Sequence, residues 1–284
     1  LLGQVAGGER KAMGELYEAT APILYGIVET ITRDPVAAGQ LTEGVYLRIW
    51  DRAPRFDPGL SDPRTWLAAV ARGAAVEWRR RVSGPSAVAD AEIVLADETL
   101  LTGDAPVAWG NAATLLHYRL RALPIDEQAA IRAAMLTGAS HAELAQAGLA
   151  SVTTIEQRVR GGLATLAREL GAEAIEEALA RELALGAIEG EPRARALRTQ
   201  LADPGFAAQV ETWQQRLAPA LEALPAIDPP SELWSRIDAL IELRQADAPR
   251  RARRGTLRWP VARTTAIGLT AALAGALVTI AIFT

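Results

Sequence analysis

The stretch from Ser140 to Leu163 admits few folds, because it carries the start signals of two short helices on either side of a glycine. Ser140 and Glu143 have capping-box spacing, so that hydroxyl and carboxylate can satisfy orphan amides at a helix start and turn Leu144 and Ala145 inward. Gly148 falls where a tight turn needs positive φ. Thr153 with Glu156 offers a second capping box, opening a helix with Ile155, Val159 and Leu163 on one face. The spacing predicts a helix-turn-helix. Such a pair is either an ordinary piece of a helical bundle or a DNA reader whose second helix enters the major groove. In a DNA reader, Thr154, Gln157, Arg158 and Arg160 would face outward to bases and phosphates.

The remaining chain favours helices. Its 284 residues suffice for two or three small domains; half are hydrophobic, but aromatics make up only 5%, which suits small helical bundles and predicts almost no strand. The net charge of −4 provides no global attraction for nucleic acid, so any DNA contact must come from a local basic patch. There is no cysteine, and His117 and His141 are the two histidines, which excludes disulfides and a Cys/His zinc site. Leu1 is not a methionine and no signal-peptide pattern follows it, so the numbering is expected to start inside a longer reading frame. No Ser-His-Asp set, phosphate loop, metal cluster or paired catalytic carboxylates stand in supporting context, and neither an enzyme nor a cofactor is expected.

From Glu9 to Thr32, apolar residues recur at helical spacing, with Pro22 as an expected break between two helices. Asp34-Pro35 caps a further helix through Val45, Ile49 and Trp50. A loop over 55–63 leads into a helix from Arg64 to about Arg81, which turns Trp66, Leu67, Val70, Ala71 and Ala74 inward and ends in Trp78-Arg79-Arg80-Arg81. Residues 83–112, with Gly84-Pro85 and Gly103-Asp104-Ala105-Pro106, are expected to form a flexible linker.

Several of these pieces together resemble the extracytoplasmic-function sigma factors of bacterial RNA polymerase. Leu16-Tyr17, Leu24-Tyr25, Arg33-Asp34-Pro35, Val45 to Trp50, Arg55-Phe56-Asp57-Pro58 and Trp66-Leu67 resemble the family's region two over roughly 8–82. Arg121 to Gln128, the helix through Leu136 and the helix-turn-helix resemble region four, over 113–171. The resemblance implies that Glu43, Tyr46, Arg48 and Trp50 face RNA polymerase core. It also implies that Trp78, Arg79, Arg80 and Arg81, with the loop over 57–62, face promoter DNA. For Tyr46 and Trp50 plain core packing is the alternative, and for Arg79 to Arg81 a cationic cap on the helix dipole.

After Gly171 the pattern changes to short amphipathic helices: 172–188, 192–201, one capped by Asp203-Pro204 through Val210, Trp213 and Leu217, and one capped by Ser231 through Leu233, Trp234 and Ile241. Pro219 is expected to kink or restart the third. The runs Glu182 to Gly190, Trp213 to Leu217 and Pro229 to Trp234 resemble the cytoplasmic domain of zinc-free anti-sigma factors, assigned to 172–245. By that resemblance Leu183, Leu217 and Trp234 make an intramolecular sigma/anti-sigma contact. A basic juxtamembrane stretch, 246–263, precedes an uncharged run over 264–284, and about twenty residues at about 1.5 Å each cross a hydrocarbon core. The flanking arginines place the preceding chain in the cytoplasm, with a single pass through the bacterial inner membrane. A regulatory protease is a further expected partner, and the family's sensor domain would lie beyond Thr284.

The chain departs from the sigma pattern at Glu156, where the family usually has Lys, at Gly161-Gly162, where it has a small-basic pair, and at Gly44 and Gly73. Each lost cation weakens phosphate contact. The expectation is an all-α chain with two sigma-type domains, a four-helix anti-sigma domain and one membrane helix, acting as a sigma factor inhibited in cis. The alternative is a degenerate sigma that no longer binds DNA and sequesters a partner at the membrane.

Overall fold

A computed structural model describes residues 1–59, 61–82, 111–171 and 177–255. Among these the chain is helical with no strand. Residues Leu1–Glu242 form one compact unit, and Leu243–Thr284 cluster as a second.

Helices α1 (Leu2–Ala6), α2 (Arg10–Thr32), α3 (Pro35–Arg52) and α4 (Pro63–Val82) build the N-terminal layer. Helix α2 runs unbroken through Pro22, contrary to the expected division into two helices. A mid-helix proline costs about 3 kcal/mol. Leu16, Leu24, Ile27, Val28 and Ile31 are all buried along the same face, and at roughly 1.5–3 kcal/mol per large apolar side chain their burial outweighs that cost. Helix α3 starts as its Asp-Pro pair predicts, with Asp34 accepting from the amides of Val36 and Ala37.

Helices α5 (Asn111–Arg121), α6 (Ile125–Thr137), α7 (His141–Gln146) and α8 (Val152–Glu169) follow. Both halves of the Ser140/Glu143 capping box form on α7. Gly148 sits at φ +85°, which turns the chain into α8. The cap of α8 is Ser151, whose hydroxyl accepts from the Thr154 amide at 3.2 Å. Thr153 therefore lies inside the first turn rather than capping it. Ile155, Val159 and Leu163 are buried as the spacing requires.

The C-terminal segment consists of α9 (Glu177–Leu185), α10 (Gly190–Ala202), α11 (Pro204–Leu217), a 3-10 turn (Ala218–Ala223) and α12 (Leu233–Gly255). Asp203 caps α11 through the Gly205 amide, and of the kink or restart expected at Pro219 the chain takes the restart, as a 3-10 turn with Pro219 near its start. The Ser231 hydroxyl bonds to the Glu232 carboxylate instead of capping α12. Helix α12 continues to Gly255, into the stretch expected to be a basic linker. No described helix is long and apolar enough to cross a membrane; the span expected at 264–284, residues 83–110 of the linker expected over 83–112 and the helix start over 172–176 lie outside the described residues, while 111–112, the end of that expected linker, already belong to α5.

The segment after 177 has no core of its own. Leu183, Leu185, Val210, Trp213 and Leu217 join one hydrophobic cluster with Leu120, Ile131, Met135, Leu144, Ile155 and Leu163. Leu221, Leu233, Ile237 and Ile241 join another with Leu16, Ile27, Tyr46, Ile49 and Leu67. One amphipathic segment thus completes both cores, which is how short helices lacking a large core bury their apolar stripes.

Candidate nucleic-acid interface

Helix α4 carries guanidinium groups on its buried face. Arg72 donates to four carbonyls: Met135 at 2.9 Å and Ala134 at 3.2 Å in the last turn of α6, and Ala184 at 3.1 Å and Leu185 at 2.6 Å at the end of α9. Helix C-termini expose unpaired carbonyls and carry the negative end of the dipole, so one cation closes two helix ends. Burial, and then the charge of Arg80, push the Arg72 guanidinium down to about 10.

About two turns further along, Arg79 and Arg80 also reach helix ends. Arg79 donates to the Ile31 carbonyl at the end of α2 at 3.1 Å and lies 3.8 Å from Glu143. Arg80 donates to the carbonyls of Gly138 at 2.7 Å and Gly186 at 2.6 Å, and reaches Glu143 at 3.3 Å. Glu143 is also the capping-box carboxylate, accepting from the Ser140 amide at 2.6 Å, so the start of α7 and the end of α4 share one anion. Gly186 has φ +77°, and a Cβ there would stand 2.7 Å from Val76, so only glycine lets this carbonyl come so close to α4. Trp78 is half-buried, and Arg81, 4.0 Å from Glu77, is exposed.

The helix-turn-helix residues are also partly engaged. Arg160 Nε donates to Glu182 of α9 at 2.7 Å, and this hydrogen bond raises its guanidinium above its usual value. Arg158 pairs with Asp126 at 2.6 Å and donates to the Leu149 carbonyl. The Thr154 hydroxyl shares a hydrogen bond with Ser151, and Gln157 is exposed. Gly162 is buried: a Cβ would stand 2.6 Å from Ile131, and one on Gly161 would stand 3.0 Å from a Glu127 carboxylate oxygen. Close approach of α8 to α6 therefore accounts for glycine here.

Of the residues assigned to polymerase, Glu43 pairs with Arg236 of α12 at 2.5 Å, and Arg48 with Glu77 at 3.4 Å. Tyr46 is fully buried, with its hydroxyl 2.8 Å from that of Thr20, and burial pushes that hydroxyl well up. It is a core residue in this arrangement, and Trp50 is half-buried against the same core. The Tyr17 ring stands 5.0 Å from Tyr46 and 5.1 Å from Trp234. Leu183 and Leu217 are buried in the cluster that contains the helix-turn-helix, and Trp234 packs on Tyr17 and Gly14.

Sequence reasoning missed Arg72, Glu182 and Arg236. A signal for Arg72 was present: it falls seven residues before Arg79, in step with the inward stripe of Ala68, Ala71 and Ala75, where a charge needs buried partners.

Residues 16–84, the layer that ends in the arginine-rich helix, match the family model described as Sigma-70 region 2. The chain is 30% identical over 178 residues to an ECF RNA polymerase sigma factor SigK of Mycobacterium sp., covering 60% of this chain and 89% of the relative. The SigK sigma factors of Mycolicibacterium vanbaalenii and Mycobacterium tuberculosis are each 28% identical, over 180 and 175 residues, covering 88% and 89% of those relatives. No solved structure matches. The chain belongs to the extracytoplasmic-function sigma factor family, whose members are transcription regulators rather than enzymes and direct RNA polymerase core to promoter DNA.

Proposed function

We propose that this sigma factor is held inactive in cis by its own residues 177–242, acting as an anti-sigma element. The observation that carries this reading is the engagement of Arg72 and Arg80 on the promoter-facing helix by that segment: Arg72 donates to the Ala184 and Leu185 carbonyls and Arg80 to the Gly186 carbonyl. Phosphate and helix carbonyls compete for the same guanidinium donors, so the packed state and promoter engagement exclude each other. The ion pairs Arg160 with Glu182 and Glu43 with Arg236 support the same exclusion at the helix-turn-helix and at the polymerase-facing helix. Because the two parts share one chain, the contact is intramolecular, with an effective concentration on the order of millimolar, and dilution does not relieve it.

In this reading residues 264–284 anchor the protein in the bacterial inner membrane with the sigma part in the cytoplasm, and a regulatory protease separates the two. A reporter fused before Arg250 tests the topology: cytoplasmic behaviour is expected, and a periplasmic signal contradicts it. Promoter-directed transcription with polymerase core tests the function. Residues 1–171 should be active and the full chain silent. Equal activity of the two sinks inhibition in cis, and polymerase binding without transcription by residues 1–171 favours a sigma that has lost DNA binding.

A further inference from the structure

A cleft of about 210 Å³ opens where α3 and α4 meet α9, α10 and α11. Its lining has an excess of positive charge: Arg48, Arg52, Arg72 and Arg193 face two carboxylates, Glu77 and Glu211. Glu77 is already committed to Arg48 at 3.4 Å and Arg81 at 4.0 Å. Arg72, at the buried end, spends its donors on carbonyls and has no carboxylate partner among the described residues. Exposed Arg52 has no direct ion pair among the described residues, and half-buried Arg193 feels the charges of Glu77 and Glu189 without a direct pair. Gln200 and Gln214 add amide donors and acceptors, and Trp66 and Leu197 supply apolar wall. A concave, partly apolar site with a few convergent polar groups is the usual form of a small-molecule site, and an excess of guanidinium over carboxylate groups favours an anion.

We propose that this cleft binds a small dianion, a phosphate monoester or a dicarboxylate, held between Arg52 and Arg193. Its two sides come from different parts of the chain. A bound dianion therefore ties α3 and α4 to α10 and α11 and stabilises the packed unit by mass action. The binding stands independently of whether the packed unit is inhibitory.

Gly73 provides the test, because it lines the cleft and a Cβ built there meets nothing within 4 Å. Gly73→Asn fills that space without charge, and Gly73→Asp places a carboxylate beside the guanidinium groups. The full chain is titrated with glycerol phosphate, inorganic phosphate and malonate at constant ionic strength, with chloride as reference, by calorimetry and thermal unfolding. At least one dianion should bind and raise Tm where chloride does not, and which one does so identifies the source. Gly73→Asp and Arg52→Gln should each weaken binding by about tenfold or more, while Gly73→Asn retains it. A Tm rise matched by chloride overturns the proposal. So does binding that survives both Gly73→Asp and Arg52→Gln.

Discussion

Arg160 Nε and Glu182 Oε1 stand 2.7 Å apart, joining the outer face of the second helix of the helix-turn-helix to a carboxylate of α9. Glu182 is buried while the Arg160 side chain remains 57% exposed, so the carboxylate is fixed and the guanidinium reaches to it. A phosphate oxygen would take the same donors.

Glu182→Gln removes the competing charge and leaves the shape. Duplex DNA binding by the full chain should strengthen, and the slope of log affinity against log salt should steepen by about one, the value for one added phosphate contact. Fluorescence anisotropy over a salt series measures both. Adding Arg160→Ala should cancel the gain, and an unchanged slope in Glu182→Gln would show that Arg160 does not face phosphate.

Gly26 lies in the middle of α2, where a Cβ would stand 2.2 Å from the Pro225 carbonyl oxygen. The extended segment there is tied to the helix by the Ile227 amide, which donates to the Pro22 carbonyl at 2.9 Å. Helix propensity alone predicts that Gly26→Ala stabilises by up to about 1 kcal/mol. The contact with Pro225 predicts the opposite sign, a loss of about 1–3 kcal/mol through overpacking. Chemical denaturation gives the sign, and hydrogen exchange at the Ile227 amide should rise with it.

These two sites show what the sequence made legible. Local start signals were readable in part because a cap involves residues two or three apart: Asp34, Ser140 and Asp203 cap as their spacing implies, whereas Ser151 takes the place expected of Thr153 and Ser231 bonds to Glu232 instead. The unbroken α2 was not readable, since the burial that outweighs Pro22 comes from α3, α4 and the C-terminal segment. Arg79 and Arg80 were identifiable as cations at a helix end but not as buried ones, because the Ile31 carbonyl that Arg79 reaches lies 48 residues away and the Gly186 and Gly138 carbonyls that Arg80 reaches lie 106 and 58 residues away. Tyr46 looked equally suited to a surface or a core until Thr20 and Tyr17 were seen against it. Charge pairing across long sequence separations is a property of packing, and pattern within one helix does not encode it.

His141 gives the packed unit a pH dependence. Its ring is buried, and Nε2 has no hydrogen-bond partner among the described residues. Burial lowers its pKa below the ordinary histidine value, against the opposing pull of Glu156 on α8, Glu182 on α9 and Glu189, and with the help of Arg160 on α8. The unfolded chain therefore takes up this proton first on acidification. Stability contributed by neutral His141 is present above the unfolded value of about 6.5 and is lost as pH falls through the folded value. Urea unfolding of the full chain between about pH 7 and about pH 5 should show falling stability, with a shallower fall in His141→Gln. An identical slope in the variant would remove His141 from the account.

Arg72 is the residue whose loss should do most. Its guanidinium joins the last turns of α6 and α9 through Ala134, Met135, Ala184 and Leu185, and no other described side chain donates to these four carbonyls. Arg72→Met keeps the stem and the volume but leaves buried acceptors without donors, at about 1–3 kcal/mol for each one that stays dry. Removing a buried cation recovers part of that through relieved desolvation, so a net loss of roughly 2–4 kcal/mol is expected. Arg72→Lys separates charge from geometry: an ammonium has three donors on a single point and cannot span two helix ends as the planar fork does. It should fall between wild type and Arg72→Met in denaturation midpoint. Hydrogen exchange should rise at the last turns of α6 and α9 in both variants, while α2 and α3 stay protected. If the packed unit excludes polymerase, Arg72→Met should also capture more polymerase core than the wild-type full chain does. Lost stability with unchanged capture would make Arg72 a structural clamp only, and unchanged stability would mean that the four carbonyls find other donors.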